Sequence, residues 1–552
     1  MIIAAIYFKT VLTVIYIGIT AWLLYRYLRT DFRGLNTPQK TNTLILYILL
    51  GVVAGTRICY LENIETDVDT STWLSSVISL NYYPDKFWKW LNYTDSRPLT
   101  VLPLWMVTWL GIPANYLVAE WIGVLLWLGS ILITYRTLCL FISSNGALLL
   151  SWSLCMFIAT TGHSDHTAYN SEHISIFLIT VATYWYVKAE KSGDITLLKT
   201  FELGLVLGSL VYAKFQNVPM GLVIASFSLL LFLRQHQWKH MVWLVIGSVL
   251  PTALVNIVYL IHGKVNDFWT NYFWNYLLYS YTTQFQAMPM SERFAPARAV
   301  RFLLLSEQSH FYVMTLLSLA VVSIAGVWTT HSSQFARTNR WFALGMLVAT
   351  LYAILQSGND FLHYTLYIFI PLVYWLAAFE AGMSPHIQGV LWATLLVFNS
   401  YQVYINCSTN GSSYMYNKQN RPADIKIVKS IKAHSTAADN IVIWGWVDRW
   451  YYYSNRACGY RMPHSHQLFM KSSLYKARMG NFLEDLEENR PTLFIDAATP
   501  EWVFIEGLGK PHEHYPEVKT YIQHKYTLVD TISNVRIYKR IVSWRVYSFR
   551  VY

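Results

Sequence analysis

Residues 241–262 read MVWLVIGSVLPTALVNIVYLIH, twenty-two positions without one Asp, Glu, Lys or Arg. Wound as a helix at about 1.5 Å per residue, such a run reaches across a hydrocarbon layer about 30 Å thick. A helix closes its backbone hydrogen bonds internally, so it is stable where no water can pair with an N–H or C=O. A helix of that length in a soluble protein would keep a charged or polar face toward water. This one has none.

The same reading extends over most of the chain. Hydropathy windows of about 19 residues predict about twelve spanning helices. Their spans are 3–27, 42–60, 115–137, 143–160, 173–189, 198–213, 217–233, 241–262, 309–329, 341–357, 363–382 and 387–404. Composition agrees: 54% of the 552 residues are apolar and only 13% are charged, against about a quarter charged in an ordinary soluble domain. The net charge of +11 sits mainly beside apolar runs. It therefore reads as orientation signals and contacts with membrane lipids, not as a nucleic-acid surface. The five cysteines, at 59, 139, 155, 407 and 458, follow no metal-ligand spacing. Cys407 and Cys458 are the one pair placed to join, and two cysteines are no disulfide framework. No removed signal peptide is read at the N-terminus.

Orientation follows from Lys and Arg in the short loops. Arg26, Arg29, Arg33 and Lys40 lie in one, Lys188, Lys191 and Lys199 in the next, then Arg234 and Lys239, then Arg337 and Arg340. These loops fall on one side in alternation, which makes that side cytoplasmic. Segments 61–114, 161–172 and 263–308, and everything after about 405, fall on the other. The expected architecture is mostly α: a membrane domain over 1–404 with three outer loops, then a small extracytoplasmic α/β domain over 405–552. In that tail, Asn440–Gly445 and Thr492–Ala497 read as short buried strands. KARMGNFLEDLEENRP reads as an amphipathic helix, and YTLVDTISNVRIYKR as a closing hairpin.

Polar residues gather at the outer helix ends. In YLENIETDVDTSTWLSSVISL, Glu62, Glu65, Asp67 and Asp69 stand where a helix leaves the membrane, ahead of a juxtamembrane helix. FWKWLNY supplies aromatics suited to headgroup depth, and TDSRPLTVLPLWMVTWLG follows with Asp95 and Arg97. Carboxylates at the bilayer surface, followed by a cation, suit a site acting on a phosphate-bearing lipid. The plainer alternative is a solvated acidic loop with helix caps.

In TTGHSDHTAYNSEHISIF, His163, Asp165, His166, Glu172 and His173 crowd into eleven residues. Imidazole and carboxylate are standard metal ligands, so Asp165, His166 and Glu172 are candidates for a divalent ion, although the spacing matches no specific motif. YAKFQNVPMG places Lys214 and Gln216 at another outer turn, as a phosphate clamp or as a snorkelling lysine. GNDFLHY adds Asp360 and His363. Four such clusters on one side point to a single shared cavity.

At these residues the chain resembles the GT-C-fold glycosyltransferases, in the bacterial branch related to protein O-mannosyltransferases and the aminoarabinose transferase of lipid A. The family carries an Asp-Glu pair leaving an early helix, a juxtamembrane helix, and a basic-Pro-Pro-Leu segment. Here these are DVDTSTWLSSVISL and DSRPLTVLPL. The AKFQNVP turn, the HY turn, and the IVIWG, NRPTLFIDA and RIYKR pieces of the tail are also similar to the family. The likeness covers nearly the whole chain with loose motifs. It departs at Thr70, where the family has its second acid and for which Asp67 is a substitute. It departs again at Arg97-Pro98-Leu99, which lacks the double proline, and in an additional N-terminal helix.

The resemblance implies a sugar donor on a polyprenyl phosphate, and a glycan, lipid or protein acceptor. Topology argues the same way, because nucleotide sugars are cytoplasmic and this site faces outward. By that likeness Asp69, or Asp67 in its place, is the general base of an inverting transfer. Lys214, Arg97 and Gln216 bind the donor phosphate, and Glu65, Asp95, His363 and Asp360 line the cavity. A divalent ion (Mg, Mn or Ca) shares the charge, and the location is the bacterial inner membrane with the site facing the periplasm. The rival reading is a transporter or flippase of lipid-linked or anionic solutes. Few charged residues fall in helix centres, and no inverted repeat is evident.

Overall fold

The computed structural model describes residues 2–30, 39–58, 60–61, 63–85, 97–193, 195–275, 288–305, 313, 315–317, 319–320, 323, 333–380, 383, 385–408, 422–470, 473–500, 502 and 509–541. The chain forms two compact units. The first is Met1–Asp67, Asn115–Val265 and Tyr276–Lys418, and the second is Val68–Ala114, Asn266–Asn275 and Gln419–Tyr552. The second unit therefore joins a stretch of the first outer loop to the tail.

In chain order the helices are α1 (Ile2–Thr30), α2 (Gln39–Ile58), α3 (Val68–Tyr82), α4 (Pro98–Trp109), α5 (Tyr116–Leu138), α6 (Ser144–Thr160) and α7 (Ser171–Ser192). They continue with α8 (Leu197–Ala213), α9 (Val218–Arg234), α10 (Trp238–Ile261), α11 (Gln334–Leu355), α12 (Leu366–Glu380) and α13 (Pro385–Ser408). The tail adds α14 (Pro422–His434) and α15 (Tyr475–Asn489). α3, α4, α14 and α15 belong to the second unit; the rest build the first.

Among the described residues, seven helices are long and apolar enough to cross a membrane: α1, α2, α5, α9, α10, α11 and α12. The protein is a polytopic membrane protein. α6, α7, α8 and α13 occupy four more of the expected spans. α6 and α8 have 17 residues each, and α7 carries Glu172, Lys188, Glu190 and Lys191, which lowers its hydropathy. The expected span 309–329 lies largely outside the described residues.

Local chemistry sets several boundaries. Asn115, Ser143, Thr196 and Ser333 cap α5, α6, α8 and α11, each accepting a backbone N–H from the first turn. Gly193 ends α7 at φ +66°, a left-handed conformation that a side chain would strain. α12 is the innermost span, 94% of its most apolar window being buried, whereas α10 is only 17% buried. Val242, Ile246, Val249, Leu254, Ile257 and Leu260 of α10 are exposed; in a bilayer that face meets lipid tails.

α8 and α10 pack backbone to backbone. A Cβ on Gly208 would lie 2.1 Å from the Ser248 carbonyl oxygen, and one on Gly204 2.4 Å from that of Leu244. Helices without a hydrophobic drive between them associate through such small residues. Gly208→Val is expected to push the pair apart at a cost of about 1–3 kcal/mol, the range for overpacking. A melting temperature of the detergent-solubilised variant equal to that of the parent protein would contradict this contact.

The tail forms a five-stranded mixed sheet of β1 (Asn440–Trp444), β2 (Ala457–Cys458), β3 (Leu493–Asp496), β4 (Tyr526–Ile532) and β5 (Val535–Arg540), in the order β2-β1-β3-β5-β4. β1 runs parallel to β2 and β3; β5 is antiparallel to β3 and β4. The two-residue turn at Ser533-Asn534, both with positive φ, suits the twist of a tight hairpin. Both expected strands, the helix and the closing hairpin are present.

Candidate functional site

Three helix-end turns of the first unit meet in one buried group. α6 ends at Thr160, and a single turn, Ser164–Thr167, precedes α7. Asn170 opens α7, its N–H donating to His173 Nδ1 at 3.3 Å. Glu172 therefore lies in the first turn of α7, where the helix dipole favours a carboxylate, and it is fully buried. Lys214 leaves α8 in extended conformation (φ −168°, ψ 131°), carrying a cation at that helix's C-terminal end.

The Lys214 ammonium donates to Glu172 Oε1 and stands 4.7 Å over the Tyr364 ring, a cation–π distance. The short 3₁₀ turn Leu362–Thr365 brings in His363. Its Nε2 is 3.9 Å from Glu172 Oε1 and its Nδ1 3.7 Å from Asp165 Oδ2. That same carboxylate oxygen accepts the Leu362 N–H at 3.1 Å, while His163 Nδ1 lies 3.9 Å from Asp165 Oδ1. Asp165, Glu172, Lys214 and His363, spread over two hundred positions of sequence, thus form one charged cluster.

Burial alone would raise the Asp165 carboxyl, but His363, with His163, beside it holds it below its ordinary range. His166 is fully buried, and burial, with His163 adding to it, lowers its pKa to about 3. It stays neutral, with Nδ1 3.3 Å from Thr161 Oγ1 and no hydrogen-bond partner on Nε2 among the described residues.

This shift has a measurable consequence. In the unfolded chain His166 titrates near 6.5, so between about pH 6.5 and 3 the unfolded state binds a proton that the folded state refuses. His166's contribution to stability is complete above 6.5 and is lost as pH falls, at up to about 1.4 kcal/mol per unit. Lowering the pH from 6.5 to 5 is expected to depress the melting temperature more in the parent protein than in His166→Gln. Equal depression would assign that pH dependence to other groups.

The remaining candidates sit elsewhere. Gln216 is buried and its Nε2 donates to the Ala353 carbonyl at 2.7 Å. Asp360 is paired with Arg298 and half-exposed. Glu65 is buried, and beside it Thr66 Oγ1 donates to Glu120 at 3.0 Å. Asp67 is the last residue of its stretch of the first unit, and Asp69 belongs to the second, in the first turn of α3. Arg97 precedes α4 in that second unit, its guanidinium 5.2 Å from the Trp73 ring centre. Asp95 lies outside the described residues. Tyr364 and Arg298 join these contacts without a signal of their own in the sequence.

Below the charged cluster the first unit holds a small apolar cavity of about 20 Å³. Ile176, Ile179 and Thr183 line it from α7, and Tyr367, Ile370 and Tyr374 from α12. Counting by helical turns, 172-176-179-183 is one face of α7, and the stretch after His363 continues in the same way at 367, 370 and 374. The two faces that present Glu172 and His363 therefore run on into the cavity wall.

The second unit contains the one group of three potential metal ligands whose donor atoms all lie within 4.8 Å, among the described residues: Asp496, His512 and Glu513. This spacing could accommodate a divalent ion at a place other than the expected trio Asp165, His166 and Glu172. Asp496 Oδ2 already accepts from His512 Nδ1 at 2.6 Å, the His512 N–H at 3.1 Å and Arg536 at 2.6 Å. Oδ1 accepts from the Ala498 N–H at 3.2 Å, and Arg536 also pairs with Glu513 at 2.8 Å. Arg536 thus performs the charge compensation that an ion would bring, and an ion would have to displace it. No chemical step is derived through a metal on that account.

No family model and no curated protein matches the sequence. Among solved structures, the chain is similar to the apo oligosaccharyltransferase of Archaeoglobus fulgidus, with a TM-score of 0.49 and 12% identity over 83% of this chain and 70% of that one. It is also similar to that protein, AglB, in complex with an inhibitory peptide and a dolichol-phosphate, with a TM-score of 0.45 and 11% identity over 84% and 71%. A third similar structure is apo ArnT from Cupriavidus metallidurans, with a TM-score of 0.42 and 12% identity over 90% of this chain and 98% of that one.

Proposed function

We propose that this protein is a membrane glycosyltransferase that moves a sugar from a polyprenyl-phosphate donor to a hydroxyl acceptor on the extracytoplasmic face, with inversion. The observation that supports it most directly is the placement of the Asp165–Glu172–Lys214–His363 cluster at the head of the apolar cavity. That order of polarity, charged groups followed by an apolar wall, matches a ligand with an anionic head and a hydrocarbon tail. The Lys214 ammonium has three donors, so a bond to Glu172 is compatible with one to a phosphate oxygen.

In this reading Asp69 takes the proton from the acceptor hydroxyl as that oxygen attacks the anomeric carbon. The bond from the anomeric carbon to the phosphate oxygen breaks on the opposite side, and polyprenyl phosphate leaves. Lys214 and Arg97 stabilise the charge gathering on that phosphate, as preorganised cations do. Asp67 is the second candidate for the base. Glu65, Asp165, His363 and Asp360 line or brace the cavity.

The deciding experiment gives purified protein a labelled polyprenyl-phosphate sugar in liposomes. Transfer predicts loss of the sugar–phosphate bond and release of polyprenyl phosphate when a hydroxyl acceptor is present. Movement of intact label across the bilayer without cleavage would favour a flippase instead. For orientation, a single cysteine at the exposed Glu517, in a chain without its native cysteines, is expected to react with an impermeant thiol reagent on intact cells. Protection until lysis would invert the topology and remove the case for a lipid-linked donor.

A further inference from the structure

The second unit contains a contact that bears on how the proposed base is held. α3 presents an unusually polar buried surface: Thr70, Ser71, Thr72, Ser75, Ser76 and Ser79 are each at most 1% exposed. Two of these hydroxyls reach the tail domain. Thr72 Oγ1 donates to Asp448 Oδ2 at 2.6 Å, and Ser79 Oγ accepts the Cys458 N–H at 2.9 Å. Asp448 is 2% exposed and follows the carboxyl end of β1. Its position depends on Gly445, whose φ of +146° favours glycine and where a Cβ would lie 3.3 Å from that of Ala497.

We propose that the tail domain is a positioning device for α3, and that Asp448, through Thr72, fixes the rotation and register of the helix turn that carries Asp69. This rests on the reading of Asp69 as the base. Asp69 and Thr72 are three residues apart, one turn on the same side of the helix. Apolar packing alone would tolerate a small slide or roll of α3. A buried hydroxyl–carboxylate bond does not, because it is directional and a helix displaced by one residue breaks it. Asp448 is a positioning residue here. The proton goes to Asp69.

The test compares Thr72→Val, Thr72→Ser, Asp448→Asn, Asp448→Glu and Asp69→Asn in the full-length protein. Thr72→Val keeps the shape and removes the donor. It is expected to lower kcat about 10- to 100-fold, as misplacement of a catalytic group by about 1 Å does, with KM for the polyprenyl-phosphate donor unchanged. Thr72→Ser should restore kcat to within about threefold, since it returns the hydroxyl. Asp448→Asn keeps an acceptor oxygen and should retain most turnover, whereas Asp448→Glu, one methylene longer, should lose kcat like Thr72→Val.

An unchanged kcat in Thr72→Val overturns the proposal, and so does a dead Asp448→Asn that melts normally, which would make Asp448 itself the reacting acid. If Thr72→Val fails to fold, Asp448→Glu with a normal melt decides in its place, and full turnover there is equally fatal. Asp69→Asn separates the two levels. Full turnover by that variant removes the base assignment, whereas its inactivity beside a normal Thr72→Val removes only the role of the tail.

Discussion

Asp69→Asn is expected to lower turnover of a polyprenyl-phosphate sugar by about 10²- to 10⁴-fold, the range that a general base contributes. The exchange preserves size and hydrogen-bonding capacity while removing the carboxylate's basicity. Asp69 lies in the first turn of α3, where the helix N-terminus favours an acid, so the neutral amide gives up about 0.3–1 kcal/mol, too little to unfold the protein. The expected signature is therefore a folded, inserted protein that binds donor and does not transfer. Asp67→Asn is the companion measurement, because Asp67 is the second candidate for the base and lies two residues from Asp69. Normal turnover by Asp69→Asn with a dead Asp67→Asn would move the base by two residues. Normal turnover in both would remove this loop from the chemistry.

Much of the helical architecture is legible in the sequence because lipid imposes a simple code. An unpaired backbone is costly there, so a long uncharged run has one solution. α10 is the clearest case: residues 241–262 are read as a span, and the helix is Trp238–Ile261. The code weakens where a helix carries its own polar work. α7 has a buried Glu172 at one end and Lys188 to Lys191 at the other, and it falls outside the seven most apolar helices although its position is foreseen.

The site is legible only in part, for a physical reason. Periodicity marks which residues share a face of one element, but it carries no information on which elements meet. His163, Asp165, Glu172, Lys214 and His363 stand out as polar residues at outer helix ends. That Lys214 bonds Glu172, and that His363 lies between Glu172 and Asp165, depends on packing among α7, α8 and the turn before α12. Gln216 shows the same dependence on packing: its position resembles that of Lys214, and one hydrogen of its amide goes to the Ala353 carbonyl, a partner that periodicity does not reveal. The bond between Thr72 and Asp448 spans 376 positions and had no signal at all. A serine- and threonine-rich α3 reads locally as a weak helix former, and its polarity makes sense only once the tail domain is packed against it. The sequence reads the tail as a domain beginning near 405, whereas the compact unit also takes in Val68–Ala114 and Asn266–Asn275.

Lys214→Met is expected to produce the largest combined loss, and a paired variant shows why. Glu172 is fully buried and accepts from the ammonium. Removing one partner of a buried ion pair costs about 3–5 kcal/mol, less what His363, 3.9 Å from the same carboxylate oxygen, makes up. For a protein of ordinary stability that is a large share of the margin, so the single variant should melt far below the parent protein and show little turnover. That result alone would not separate a structural lysine from one that binds phosphate. Lys214→Met combined with Glu172→Gln removes both charges and keeps the volume, and it is expected to recover most of the lost melting temperature. If Lys214 holds the donor phosphate, turnover in the double variant stays low while its fold returns, and the loss appears as weakened donor binding more than weakened acceptor use. Recovery of both stability and turnover would mean that Lys214 neutralises Glu172 and nothing more. The phosphate would then have to be held by other cations, beginning with Arg97.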